Sequence, residues 1–140
     1  MPIKDPQLKD TMYRDDEVEL IAMEYAMEYE RKEGRIPEDV SSQNLGFDIR
    51  SSSPDREDIR YIEVKGRASD GAIALTTNEW VKADRLRHFY WLYVVNKCKT
   101  KPELHLIQDP FKNMEVREER TVVRYLADGD DWKKAVKLTV

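Results

Sequence analysis

From Asp15 to Glu33 the apolar residues Val18, Ile21, Ala22, Tyr25, Ala26 and Tyr29 recur at three- and four-residue steps, the period that places side chains on one helix face. Asp15 and Asp16 stand where helix caps belong and Gly34 where a helix stops, so the spacing predicts one long amphipathic helix. After the turn-rich stretch 37–44, Leu45-Gly46-Phe47-Asp48-Ile49-Arg50 alternates apolar and polar, which predicts a strand, and 51–58 reads as a hairpin-type loop. Residues 60–67 alternate again, with Ile62 and Val64 on one face and Tyr61, Glu63 and Lys65 on the other. Asp70-Gly71 predicts a turn into a third strand at 72–75, and a three-stranded antiparallel meander is expected.

The helical period then returns. Thr76-Thr77-Asn78-Glu79 has a hydroxyl three residues before a carboxylate, the form of a capping box, and Trp80, Ala83 and Leu86 follow at helical steps. Tyr90-Trp91-Leu92-Tyr93-Val94-Val95 is too short for a buried helix and rich in strand formers. It predicts a central strand, parallel to a neighbour because a helix precedes it. Further strands are expected at 103–107 and 122–126, with a short helix near Trp132. This order predicts an α/β domain over 15–140, with an αβββαβ core, a mixed sheet flanked by helices and a short C-terminal extension. Residues 1–14, with Pro2, Pro6 and unpatterned charges, predict a flexible N-terminal arm.

Composition narrows the function classes. Charged residues make up 37% of the 140 and hydrophobic ones 40%, and no apolar run approaches the roughly 18 residues of a membrane span. The first ten residues lack the apolar core of a signal peptide and Cys98 is the single cysteine, so a cytoplasmic location is expected. A net charge of −4 is unlike a protein that coats DNA by neutralising phosphates. A nucleic-acid role must therefore rest on local geometry.

The candidate chemistry lies on the strand face carrying Glu63 and Lys65. The spacing alone carries little weight, because Glu30-Arg31-Lys32 repeats it near the polar end of the first helix, and an exposed Glu–Lys pair contributes only about a few tenths of a kcal/mol. Asp48 changes the picture, since it lies opposite Phe47 and Ile49 on the strand expected beside that of Glu63. Two carboxylates and an ammonium that converge suit phosphodiester hydrolysis: Mg²⁺ prefers one or two carboxylates with waters and substrate phosphate, and lowers the pKa of a bound water. Asp48 and Glu63 are the expected metal ligands. Lys65 is expected to orient the attacking water or to offset charge growing on the phosphorus centre.

Across 44–110 the stretches NLGFDIRS, YIEVKGRA, ALTTNEW, YWLYVVN and IQDP resemble a PD-(D/E)xK-superfamily domain of the DUF3883 kind, and MEYAMEYE in the first helix extends the likeness. The resemblance implies a restriction-endonuclease-like fold and a Mg²⁺-dependent endonuclease, with Mn²⁺ as substitute, that hydrolyses phosphodiester bonds in DNA. Such domains often lie at the C-terminal end of helicases, so a helicase ATPase domain in the same or a partner chain, serving defence or repair, is the implied partner. A homodimer is a further expectation. Residue by residue, the catalytic set falls on Asp48, Glu63 and Lys65, joined by an acid of the first helix, Glu24 by local likeness among Glu17, Glu19, Glu24 and Glu28, with Phe47 in place of the name-giving proline.

Other residues have bland readings beside functional ones. Glu79 and Lys82 at the start of the second helix could reach the site or substrate, but Glu79 has a sufficient task in the capping box, and Trp80, Trp91 and Tyr93 fit core periodicity better than a base-stacking platform. Arg67, Lys82, Arg85 and Arg87 are candidate phosphate contacts, while His88 and His105 show no metal-ligand spacing. The alternatives to a nuclease are a non-catalytic nucleic-acid or partner-binding module that positions a helicase, and a dimerisation element.

Overall fold

The computed structural model describes residues 15–119 and 124–140. The expected N-terminal arm, and Val122 and Val123 of the expected strand at 122–126, lie outside the described residues.

Helix α1 spans Asp16–Lys32, capped by Asp15, whose side chain accepts the backbone N–H groups of Glu17 and Val18. Three of its four buried residues, Val18, Ala22 and Ala26, are small, so the helix lies close on the sheet, and it ends at Gly34, which takes the left-handed φ of 78°. Five strands follow before the C-terminal region: β1 (Ile36–Asp39), β2 (Ile49–Ser52), β3 (Ile59–Gly66), β4 (Ile73–Thr76) and β5 (Tyr90–Asn96). Helix α2 (Thr77–Leu86) joins β4 to β5. Then come β6 (Glu103–Gln108), the single turn α3 (Pro110–Asn113), β7 (Arg117–Glu119), β8 (Arg124–Ala127), α4 (Gly129–Lys134) and β9 (Leu138–Thr139).

The result is a mixed α/β fold. One sheet has six strands in the order β1-β2-β3-β5-β6-β9, and a second has three in the order β4-β8-β7. Every residue of β5 is buried, and β5 runs parallel to β3 with Lys65 opposite Val94, as its apolar run predicts. One face of the large sheet packs Ile62, Trp91, Tyr93 and Val95 against α1. The other packs Phe47, Tyr90, Leu92 and Val94 against Trp80 of α2 and Trp132 of α4.

Three expectations are corrected. The meander is interrupted: β2 and β3 are antiparallel neighbours, but β4 pairs with β8 in the second sheet. The link from Arg67 to Ala72, with Gly71 at φ 142°, carries the chain off the large sheet and leaves the edge of β3 to β5. The first predicted strand begins at Ile49 rather than Leu45, because Asn44 and Gly46 both take positive φ, and an edge strand, β1, forms within the turn-rich stretch. Finally, Glu30 is not at a polar helix end but fully buried, where it accepts from Arg60 Nη1 at 3.2 Å and from the Tyr93 hydroxyl. Arg35 Nε lies 3.2 Å from its other oxygen, though that N–H points at Ser51 Oγ.

Candidate active site

The site lies on the α2 face of the large sheet, at the end of β3. Alternation along β3 turns Glu63 and Lys65 to this face while Ile62 packs toward α1, and Glu63 is buried, its side chain only 4% exposed. Asp48 enters just before β2, with its backbone N–H donating to Ile62 O at 2.8 Å and its Oδ2 accepting the backbone N–H of Val64 at 2.9 Å. The three residues expected from the sequence are thus brought together.

A fourth member joins them. Lys65 Nζ lies 3.3 Å from Glu63 Oε2 and donates to Glu79 Oε1 at 2.9 Å, so the ammonium bridges the strand to the first turn of α2. Glu79 also performs its expected capping: its Oε1 accepts the Thr76 N–H at 2.9 Å, and Thr76 Oγ1 accepts the Glu79 N–H at 3.1 Å. The sequence placed Glu79 within reach of the site but put its capping task first, and did not specify the contact with Lys65. The signal was available in the fixed offset of a capping-box carboxylate from a helix that must pack over β3.

Two further residues set the backbone here. The buried Tyr90 hydroxyl donates to Gly46 O at 2.8 Å, anchoring the chain two residues before Asp48. Gly46 itself has φ 88° and touches α2 so closely that a Cβ would stand 2.9 Å from Lys82 Cβ.

The electrostatics are those of crowded acids. Burial pushes the Glu63 carboxyl well above its ordinary range against the pull of Lys65, and the charges of Glu79 and Asp48 push the same way. Burial likewise raises Asp48, opposed by the Val64 N–H and by Lys65. Burial would raise Glu79 too, but Lys65 outweighs it and holds this carboxyl low. For Lys65 the neighbouring Glu63 and Glu79 outweigh desolvation and keep the ammonium charged. Three carboxyls therefore face one ammonium, and a bound cation would favour the ionised forms of Glu63 and Asp48 that burial opposes. Among the described residues no three His, Cys, Asp or Glu side chains are grouped to hold a metal ion. Asp48 and Glu63 are the residues that would hold a hard cation such as Mg²⁺, with water and phosphate completing its shell.

Glu24 is not brought to this site. It is exposed on α1, on the side of the sheet opposite Glu63 and Lys65, and the structure records no contact between it and them. Lys82 is half-buried beside Gly46, Arg85 is exposed, Arg87 pairs with Asp84, and the Arg67 guanidinium packs near Gly71. Trp80, Trp91 and Tyr93 are core residues. His105 bonds Asn96 and Thr139 and serves packing.

A domain with a mixed α/β sheet and an Asp-Glu-Lys-Glu cluster at the end of a central parallel strand is the class defined so far. The family model described as "Protein NO VEIN, C-terminal" matches residues 18–107, and the chain belongs to that family. The matched span runs from Val18 in α1 to Ile107 in β6, and includes Asp48, Glu63, Lys65 and Glu79. No curated protein and no solved structure matches the chain. Among the described residues no helix is long and apolar enough to cross a membrane.

Proposed function

We propose that this domain is a Mg²⁺-dependent nuclease of the PD-(D/E)xK kind, with a restriction-endonuclease-like core, that hydrolyses phosphodiester bonds in DNA. The observation that carries the reading is the convergence of Asp48, Glu63 and Lys65 on one partly buried spot where carboxylates outnumber ammonium groups. Asp48 and Glu63 would hold the metal, which when bound lowers the pKa of a water and draws the scissile phosphate in. The chain's own contribution is electrostatic and geometric. Asp48 is aimed by the Val64 N–H, Glu63 by the strand face, and Lys65 presents a fixed ammonium where charge grows as water adds to phosphorus and the P–O bond to the leaving sugar breaks. The half-buried Lys82, on the helix that borders the site, is one of the expected phosphate contacts. A helicase in the same or a partner chain is the partner that would deliver DNA.

The test is incubation with single-stranded, duplex and branched DNA in Mg²⁺ or Mn²⁺. Cleavage by the parent protein that disappears in Glu63→Ala and Lys65→Ala supports the reading. Cleavage that persists in both variants sinks it, and binding without cleavage points instead to a module that positions a helicase.

A further inference from the structure

We propose that Glu79 is a positioning residue of this site, whose carboxylate, fixed by the cap of α2, holds the Lys65 ammonium over Glu63. The kinetic consequence rests on the nuclease reading above; the positioning itself does not.

Capping requires only the exchange between Glu79 and Thr76, and that exchange is complete. The Lys65 Nζ contact, at 2.9 Å to the same Oε1 that accepts the Thr76 N–H, goes beyond it. The order of constraint matters. A capping box fixes the carboxylate rotamer from within the helix, so Glu79 is already in place as an anchor for a long and otherwise flexible lysine side chain. Glu63 alone would leave that side chain one partner at 3.3 Å, whereas the pair confines Nζ between strand and helix. The same helix also meets Gly46 through Lys82 and Asn78, and Gly46 leads directly to Asp48. Helix α2 thereby sets the position of both Lys65 and the segment that delivers Asp48, and Glu79 is the residue through which it reaches Lys65.

Glu79→Gln separates the two tasks, because glutamine serves a capping box as well as glutamate but carries no charge for Lys65. The apo protein, labelled with ¹⁵N-lysine, should show the Lys65 ammonium as an observable NMR signal in the parent and lose it to exchange broadening in Glu79→Gln and Glu79→Ala. Melting temperature should hold in the glutamine variant and fall by a few degrees in the alanine variant, which also loses the acceptor for the Thr76 N–H. On DNA, kcat of Glu79→Gln should fall by about 10- to 100-fold with KM little changed, as expected of a misplaced group. A glutamine variant that keeps the Lys65 signal and cuts like the parent reduces Glu79 to a cap and overturns the proposal. If the parent protein cuts no DNA, the nuclease reading fails, and the NMR comparison alone decides whether Glu79 holds Lys65.

Discussion

Asp48 Oδ2 accepts the backbone N–H of Val64 at 2.9 Å, and so ties one acid of the site to the strand residue that lies between Glu63 and Lys65. The bond sets the distance across which Asp48 and Glu63 face each other, and it gives Asp48 a structural task separable from its charge.

Asp48→Asn keeps an oxygen acceptor for Val64 and removes the charge. It should unfold at about the same denaturant concentration as the parent and lose cleavage by ~10²-fold or more. Asp48→Ala leaves the Val64 N–H without its partner and should cost roughly 1–3 kcal/mol in urea unfolding as well. An asparagine variant that still cuts at the parent rate would remove Asp48 from the reaction.

Glu63 provides a pH signature. Folding raises its pKa, so the native state binds a proton more tightly than the unfolded chain, and this favours the native state fully only below the ordinary carboxyl range. As pH climbs through the raised pKa the contribution is lost and the buried charge becomes a cost. Glu63→Gln should therefore match the parent in stability near pH 4 and exceed it at pH 8, read from urea midpoints at each pH without added metal. A glutamine variant less stable than the parent at pH 8 would contradict the assignment of Glu63 as a carboxylate strained by burial.

The second buried acid should behave in the opposite way. Glu30 has neither an exposed edge nor a surplus of acids around it; it faces Arg60, Arg35 and the Tyr93 hydroxyl. Removing one partner of a buried pair leaves the others uncompensated, so Glu30→Ala should destabilise by about 3 kcal/mol while leaving the kinetics of the surviving folded fraction unchanged. A loss below about 1 kcal/mol would show that the arginines find water instead.

Gly66 tests the fit of α1 on β3. A Cβ there would stand 2.9 Å from both Ala22 Cβ and Val18 O, so Gly66→Ala must push the helix off the sheet and should cost roughly 1–3 kcal/mol. A neutral result would mean that α1 rides more loosely than its small residues suggest.

What could be read from the chain, and what could not, divides along physical lines. Helix α1, the capping box of α2 and the parallel central β5 were legible because period, cap and continuous apolar run are local signals. The trio of Asp48, Glu63 and Lys65 was legible because strand alternation fixes which side chains share a face. The partner of β4 was not, since pairing with β8 is decided by packing across some fifty residues and by where Gly71 turns the chain. Glu30 was misplaced for a related reason: its neighbours Arg31 and Lys32 read as a polar helix end, and only the arrival of Arg60 and Tyr93 from other strands makes burial of the acid possible. Glu24 was favoured by local likeness, and a likeness in sequence does not say which side of a sheet a helix will cover.

The central claim is that Asp48 and Glu63 form a metal site. The most direct measurement is anomalous diffraction from crystals soaked in Mn²⁺. Density at roughly 2.1–2.3 Å from a carboxylate oxygen of each, absent in Asp48→Asn, is the predicted result. Ordered side chains with no density between them at millimolar Mn²⁺ would contradict it.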